Sequence, residues 1–159
     1  MTEDSVGRRS VLRNAGAVAG GVALGGVAVA SPAAAGERAG DHDVSGSWYV
    51  NVHNDDGEES VSILSFAAGE VCIVQDISPA PAIFTGAWRS GRHGAFRATL
   101  LTGVPGEDRS SPGVIIKLRL RGSVRRHRVS GSFTFRVTDS GGRELATGSG
   151  TFDGRRIEA

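Results

Sequence analysis

The 159 residues carry 18 lysines and arginines against 17 aspartates and glutamates, a formal charge of +1, with 24 glycines and one cysteine. That length allows a single domain, and the lone Cys72 excludes an intramolecular disulfide, so stability must come from core burial. With Arg8, Arg9, Arg13, Glu3 and Asp4 set aside, 15 residues of each sign remain from residue 36 onward, which excludes the concentrated positive field of a nucleic-acid binder.

In chain order, the first feature is Gly7-Arg8-Arg9-Ser10-Val11-Leu12-Arg13, which resembles the twin-arginine export signature with valine where phenylalanine is usual. A weakly apolar run, Ala15 to Ala30, follows and is broken by Gly16, Gly20, Gly21, Gly25 and Gly26. Each glycine lowers helix propensity by roughly 1 kcal/mol, and the run falls short of the about 20 predominantly apolar residues of a membrane span. Ala33-Ala34-Ala35 offers the small residues that a signal peptidase reads, so residues 1–35 are read as a signal peptide cleaved after Ala35. The resemblance implies the twin-arginine translocase as a partner during export, a domain folded before it crosses, and an extracytoplasmic location. Residues 36–44 are polar and aperiodic and are expected to form a flexible lead. The mature domain then occupies 45–159.

From Ser45 the pattern has a period of two. Trp48, Val50 and Val52 alternate with Tyr49, Asn51 and His53. Ile116, Leu118 and Leu120 alternate with Lys117, Arg119 and Arg121, and Phe133, Phe135 and Val137 alternate with Thr134, Arg136 and Thr138. Strands buried on one side and wet on the other read this way. Turn chemistry divides the chain at Asn54-Asp55-Asp56-Gly57, Ala67-Ala68-Gly69, Ser90 to Gly94 and Ser140-Gly141-Gly142. Longer loops are expected at Ser78-Pro79-Ala80-Pro81 and from Gly103 to Gly113, where proline denies ladder hydrogen bonds. Eight strands result, at 46–53, 59–66, 70–76, 84–90, 94–102, 113–124, 128–139 and 143–153. The fold class is all-β, and a mainly antiparallel up-and-down barrel is the expected architecture because closure removes exposed edges. A two-sheet sandwich is the alternative.

A short unit recurs as Gly46-x-Trp48, Gly86-x-Trp88, Gly131-x-Phe133 and Gly150-x-Phe152. Residues two apart share a face, so each glycine gives room for tight bending and a ring fills the space. The same rings are candidates for lining a ligand cavity, and Trp48, Trp88, Phe96, Phe133 and Phe135 are the candidate ligand-binding residues. Gly46-Ser47-Trp48 at the first strand resembles the start of lipocalin-type and avidin-type barrels, the calycins. In lipocalins an arginine from the barrel's end covers that tryptophan, and the resemblance implies the same cation–π role for Arg155 or Arg156. Phe66-Ala67-Ala68-Gly69, Gly86-Ala87-Trp88 and the Asp139-to-Gly150 segment resemble small exported actinobacterial barrel proteins related to the allene-oxide-cyclase or dirigent kind. These motifs are architectural, so the resemblance bears on fold more than on chemistry. Biotin binding is not expected, because the surroundings of Trp88 do not match the avidin pattern.

Catalytic constellations are scarce. His42, His53, His93 and His127 have no metal-ligand spacing, so no metal is expected. No phosphate loop or G-x-S-x-G elbow occurs, so no cofactor is expected. Cys72, between Val71 and Ile73, reads as a buried inert thiol, and Asp55, Asp56, Glu58 and Glu59 as a solvated acidic turn. Acid–base chemistry in an apolar lumen would need Asp76, Gln75 or Tyr49 to point inside. Arg119, Arg121, Arg125 and Arg126 form an outward basic ribbon, either a solvated exterior that discourages edge pairing or a contact for a cell-wall polymer or membrane surface. Three functions follow as alternatives: a binder of a small apolar or cyclic molecule, a cyclase- or dirigent-like enzyme acting on a hydrophobic natural product, and a structural or surface-interaction protein with a filled core. No catalytic constellation is visible, which favours a non-enzymatic role.

Overall fold

The computed structural model describes residues 42–78, 81–106 and 113–158. The signal peptide expected over 1–35 and the first part of the lead lie outside the described residues. Eight strands form: β1 (Gly46–Asn54), β2 (Glu59–Phe66), β3 (Val71–Ser78), β4 (Ala82–Ser90), β5 (Ala95–Val104), β6 (Val114–Arg125), β7 (Arg128–Asp139) and β8 (Glu144–Arg156). Each pairs antiparallel with its sequence neighbour, and β8 returns to β1 to close the barrel. The up-and-down barrel is therefore the architecture, and the sandwich is not.

Alternation fixes which side chains enter. Along β1, Trp48 and Val50 are buried while Tyr49 and Asn51 are exposed, and along β5 Phe96, Ala98 and Leu100 are buried between exposed neighbours. A slip by one residue would turn each of these sets outward. The turns β2–β3, β4–β5 and β6–β7 close one end of the barrel, the floor. The β1–β2, β3–β4, β5–β6 and β7–β8 connections form the other end, the rim.

The floor is packed solid. Phe66 meets Phe96 edge-on at 4.7 Å between ring centroids and Trp88 at 5.0 Å, with Trp48, Cys72, Val124 and Val129 buried around them. The Arg156 guanidinium lies 4.4 Å above the Trp48 ring and donates to the backbone carbonyls of Ser45 and Asp43. The Trp48 indole N–H in turn donates to the Val44 carbonyl at 3.1 Å. Residues 42–44, read from sequence as the end of a flexible lead, are thus held to the floor, with Val44 buried. Their polar backbone finds partners that the sequence pattern could not announce, since the donors come from 4 and more than 100 residues away.

Glycine and phenylalanine are matched across strands. Phe96 stands opposite Gly122, Phe152 opposite Gly131, Phe133 opposite Gly150 and Phe135 opposite Gly148. In each pair the ring covers the space a side chain would need. An ideal Cβ on Gly131 or Gly150 would stand 2.6 Å from its partner ring. The repeated glycine–aromatic unit works through the neighbouring strand, with the ring shielding a glycine it faces.

Candidate functional site

Above the floor, the lumen holds a cavity of about 200 Å³ that reaches the rim. Ile116, Leu118 and Leu120 from β6, Phe133 and Phe135 from β7, Phe84 from β4 and Phe152 from β8 form its apolar wall. All lie at inward positions of the two-residue alternation. Asn54, Glu58, Glu59 and Pro81 border it at the rim, where Glu58, Glu59 and Pro81 are exposed.

One segment of the wall is polar. Ser62 on β2 and Asp76 on β3 stand opposite each other in register, next to a β-bulge between Val61 and Ser62. The Ser62 hydroxyl donates to Asp76 Oδ1 at 2.6 Å, and Ser62 itself is only 1% exposed. Burial raises the Asp76 pKa above the ordinary aspartate value, and the Ser62 hydrogen bond opposes part of that rise. A protonated Asp76 carries an O–H donor into an otherwise apolar chamber, whereas the ionised form only accepts. The bulge beside it re-aims the end of β3.

The residues singled out from sequence fall into two groups. Phe133 and Phe135 line the cavity. Trp48, Trp88 and Phe96 face the same interior but belong to the floor, outside the cavity lining; the Trp88 indole donates to the Ala67 carbonyl at 3.1 Å. Arg156 rather than Arg155 covers Trp48, because β8 alternation turns Arg155 outward. Among the acid–base candidates Asp76 points inside, while Gln75 and Tyr49 are exposed on the outer face. Ser62 was not singled out from sequence. Its signal was present, since it shares the even positions of Leu64 and Phe66, which enter the core.

Cys72 is wholly buried and its pKa is pushed up to about 12 by that burial, which keeps the thiol protonated. No group of three or more metal-ligating side chains occurs among the described residues. Arg119, Arg121, Arg125 and Arg126 are all exposed.

No family model, curated protein or solved structure matches the chain. The lumen itself carries the functional reading.

Proposed function

We propose that this protein is an exported barrel that binds a small, mainly apolar molecule in its lumen, with the Asp76–Ser62 pair recognising one oxygen-bearing group of the guest. The observation that supports the reading is an apolar chamber interrupted by one half-buried, hydrogen-bonded carboxyl. A pocket of this kind gains affinity from its walls and orientation from a few polar groups. A 150 Å³ apolar cavity is about large enough for benzene, so roughly 200 Å³ fits a guest of one or two rings. Such a guest has on the order of ten heavy atoms and a Kd on the order of micromolar. The twin-arginine-like start supports delivery of the folded barrel outside the cytoplasm.

Native mass spectrometry of the full-length protein tests the reading directly. A bound species of defined mass that is lost when Leu118→Trp fills the lumen is the expected result. A protein that carries and takes up no small molecule, across a panel of mono- and bicyclic ketones, phenols and lactones, overturns it.

A second reading rests on the inward direction of Asp76. A proton donor facing an enclosed apolar guest supports an isomerase or cyclase that works mainly by shaping a reactive substrate. Its mark is a bound molecule that leaves with altered connectivity, and with Asp76→Asn returning it unchanged.

A further inference from the structure

The outer wall of the barrel is divided by charge and by apolar exposure in a way the lumen does not require. Strands β3, β4, β5 and β6 contain one acidic residue, Asp76, and it points inward. Their outer face carries Arg89, Arg97, Lys117, Arg119, Arg121 and Arg125, all exposed. Arg89 stands opposite Arg97, and Arg97 opposite Arg121. Like charges facing each other across strands are unfavourable in isolation. Among the described residues, only Arg89 of these six has a carboxylate within ion-pair distance, Glu70 at 3.9 Å.

On the same outer face these four strands also turn large aliphatic side chains to water, Ile73 near the floor end of β3 and the others nearer the rim. Ile73 is 39% exposed, Ile77 47%, Ile83 59%, Leu101 50% and Ile115 46%. They are neighbours in the sheet. Ile83 lies one step diagonal from Ile73 across β3–β4 and from Leu101 across β4–β5, and Leu101 lies diagonal from Ile115 across β5–β6. Leu101 also faces Lys117 directly. An apolar band therefore borders a cationic band on one half of the barrel. The acidic turn with Asp55, Asp56, Glu58 and Glu59 lies at the rim between β1 and β2; it leans over β8, where Asp55 meets Ser149, and Asp55 and Asp56 border one groove with Lys117 and Arg119.

We infer that the β3–β6 wall docks on an anionic lipid bilayer, the isoleucines and Leu101 entering the headgroup–acyl boundary and the arginines and Lys117 meeting lipid phosphates. Apolar side chains next to clustered cations fit a surface that is itself layered, anionic outside and hydrocarbon within. A soluble polyanion would be met by the cations and would leave the aliphatic band in water. The Arg89–Arg97–Arg121 row and the aliphatic band beside it centre the contact on β4 and β5, so the barrel lies on its wall rather than on its mouth. This docking is independent of whether the lumen holds a guest.

The test is sedimentation of the full-length protein with vesicles of phosphatidylcholine alone or with 30 mol % phosphatidylglycerol (about that fraction suffices for a strong surface potential), with every variant carrying the same N-terminal segment. Binding to the anionic vesicles is expected to fall about tenfold or more in Arg97→Gln/Arg121→Gln, since each cation contributes roughly fivefold. It is expected to fall about tenfold in Ile83→Ser/Leu101→Ser. Position is read separately with a polarity-sensitive dye on Leu101→Cys or Tyr49→Cys, the buried Cys72 remaining unlabelled. A blue shift with anionic vesicles at 101 and none at 49 is the expected result. Equal shifts at both positions, unchanged binding in both double variants, or binding that ignores Ile83→Ser/Leu101→Ser and is competed by soluble polyphosphate each overturn the inference. Lumen variants such as Leu118→Trp are expected to bind vesicles as the wild type does, which separates this result from the fate of the proposed guest.

Discussion

The Ser62 hydroxyl donates to Asp76 Oδ1 at 2.6 Å beside a β-bulge, joining two adjacent strands through the partly buried carboxyl of the lumen wall. Because burial raises the Asp76 pKa above 3.8, the folded state holds this proton more tightly than the unfolded chain does. The associated stability is full below the ordinary carboxylate range and is lost as pH rises through the elevated value. Asp76→Asn is therefore expected to remove this loss, leaving the variant at least as stable as wild type at neutral pH and relatively less favoured in acid. Urea midpoints between about pH 3.5 and 7.5 check this, and parallel profiles for the two proteins would count against a buried titrating carboxyl.

Asp139 works in the opposite sense. Its carboxylate accepts hydrogen bonds from the backbone N–H groups of Arg143 at 2.8 Å and Gly141 at 3.0 Å, and from Arg143 Nε at 3.1 Å. These contacts, the Arg143 backbone bond foremost, hold its pKa below the usual value. The order they give the β7–β8 turn is present above the ordinary range and lost as pH falls through the depressed value. Protection of the Gly141 and Arg143 amides, measured relative to their intrinsic exchange rate at each pH, is expected to fall in acid, and in Asp139→Ala to be low at every pH.

Leu118→Trp adds volume where the lumen has room. Overpacking a filled core costs about 1–3 kcal/mol, but here the ring enters a cavity of about 200 Å³. The melting temperature is expected to hold within a few degrees while uptake of a small guest is lost. A collapse in stability would mean the chamber is narrower than its lining indicates.

Gly150→Ala tests the cross-strand matching of rings and glycines. The new methyl would stand 2.6 Å from the Phe133 ring and closer still to the His53 carbonyl oxygen. A loss of about 1–3 kcal/mol is expected, read from urea unfolding. Gly141→Ala, in the exposed β7–β8 turn, is expected to cost less, since its nearest contact would be Asp139 at 3.4 Å.

Arg156→Ala removes the cation from above Trp48 and two donors from the Ser45 and Asp43 carbonyls. The expected cost is about 1–3 kcal/mol from the cation–π contact and the hydrogen bonds together. Limited proteolysis is expected to cut near residues 42–45 in the variant and to spare them in the wild type.

Much of the fold was legible because the inward set is written as a two-residue beat. Trp48-Val50-Val52 and Ile116-Leu118-Leu120 enter the barrel as their spacing predicts, and the turns fall at the glycine and asparagine clusters. The candidate site was only half legible. Alternation says which face a ring takes but not at which height a neighbouring strand meets it. Trp48, Trp88 and Phe96 thus share the interior of Phe133 and Phe135 while packing the floor. That height is set by register, and register depends on strand pairs such as Trp48 with Arg156, 108 positions apart in the chain. Ser62 lacked any mark of its own, since a serine among apolar inward positions gains meaning only when the strand beside it brings a carboxylate within reach.

The pairing of β8 with β1 has a consequence for synthesis. The first strand to leave the ribosome finds one of its two neighbours only when the last strand has emerged. Until Trp48 meets Arg156 the growing sheet keeps two unsatisfied edges, and the floor lacks its cover. Closure thus waits for β8 and is dominated by long-range contacts, which form slowly. A chain shortened by its final dozen residues would forfeit the ring as a whole, not merely one strand of it.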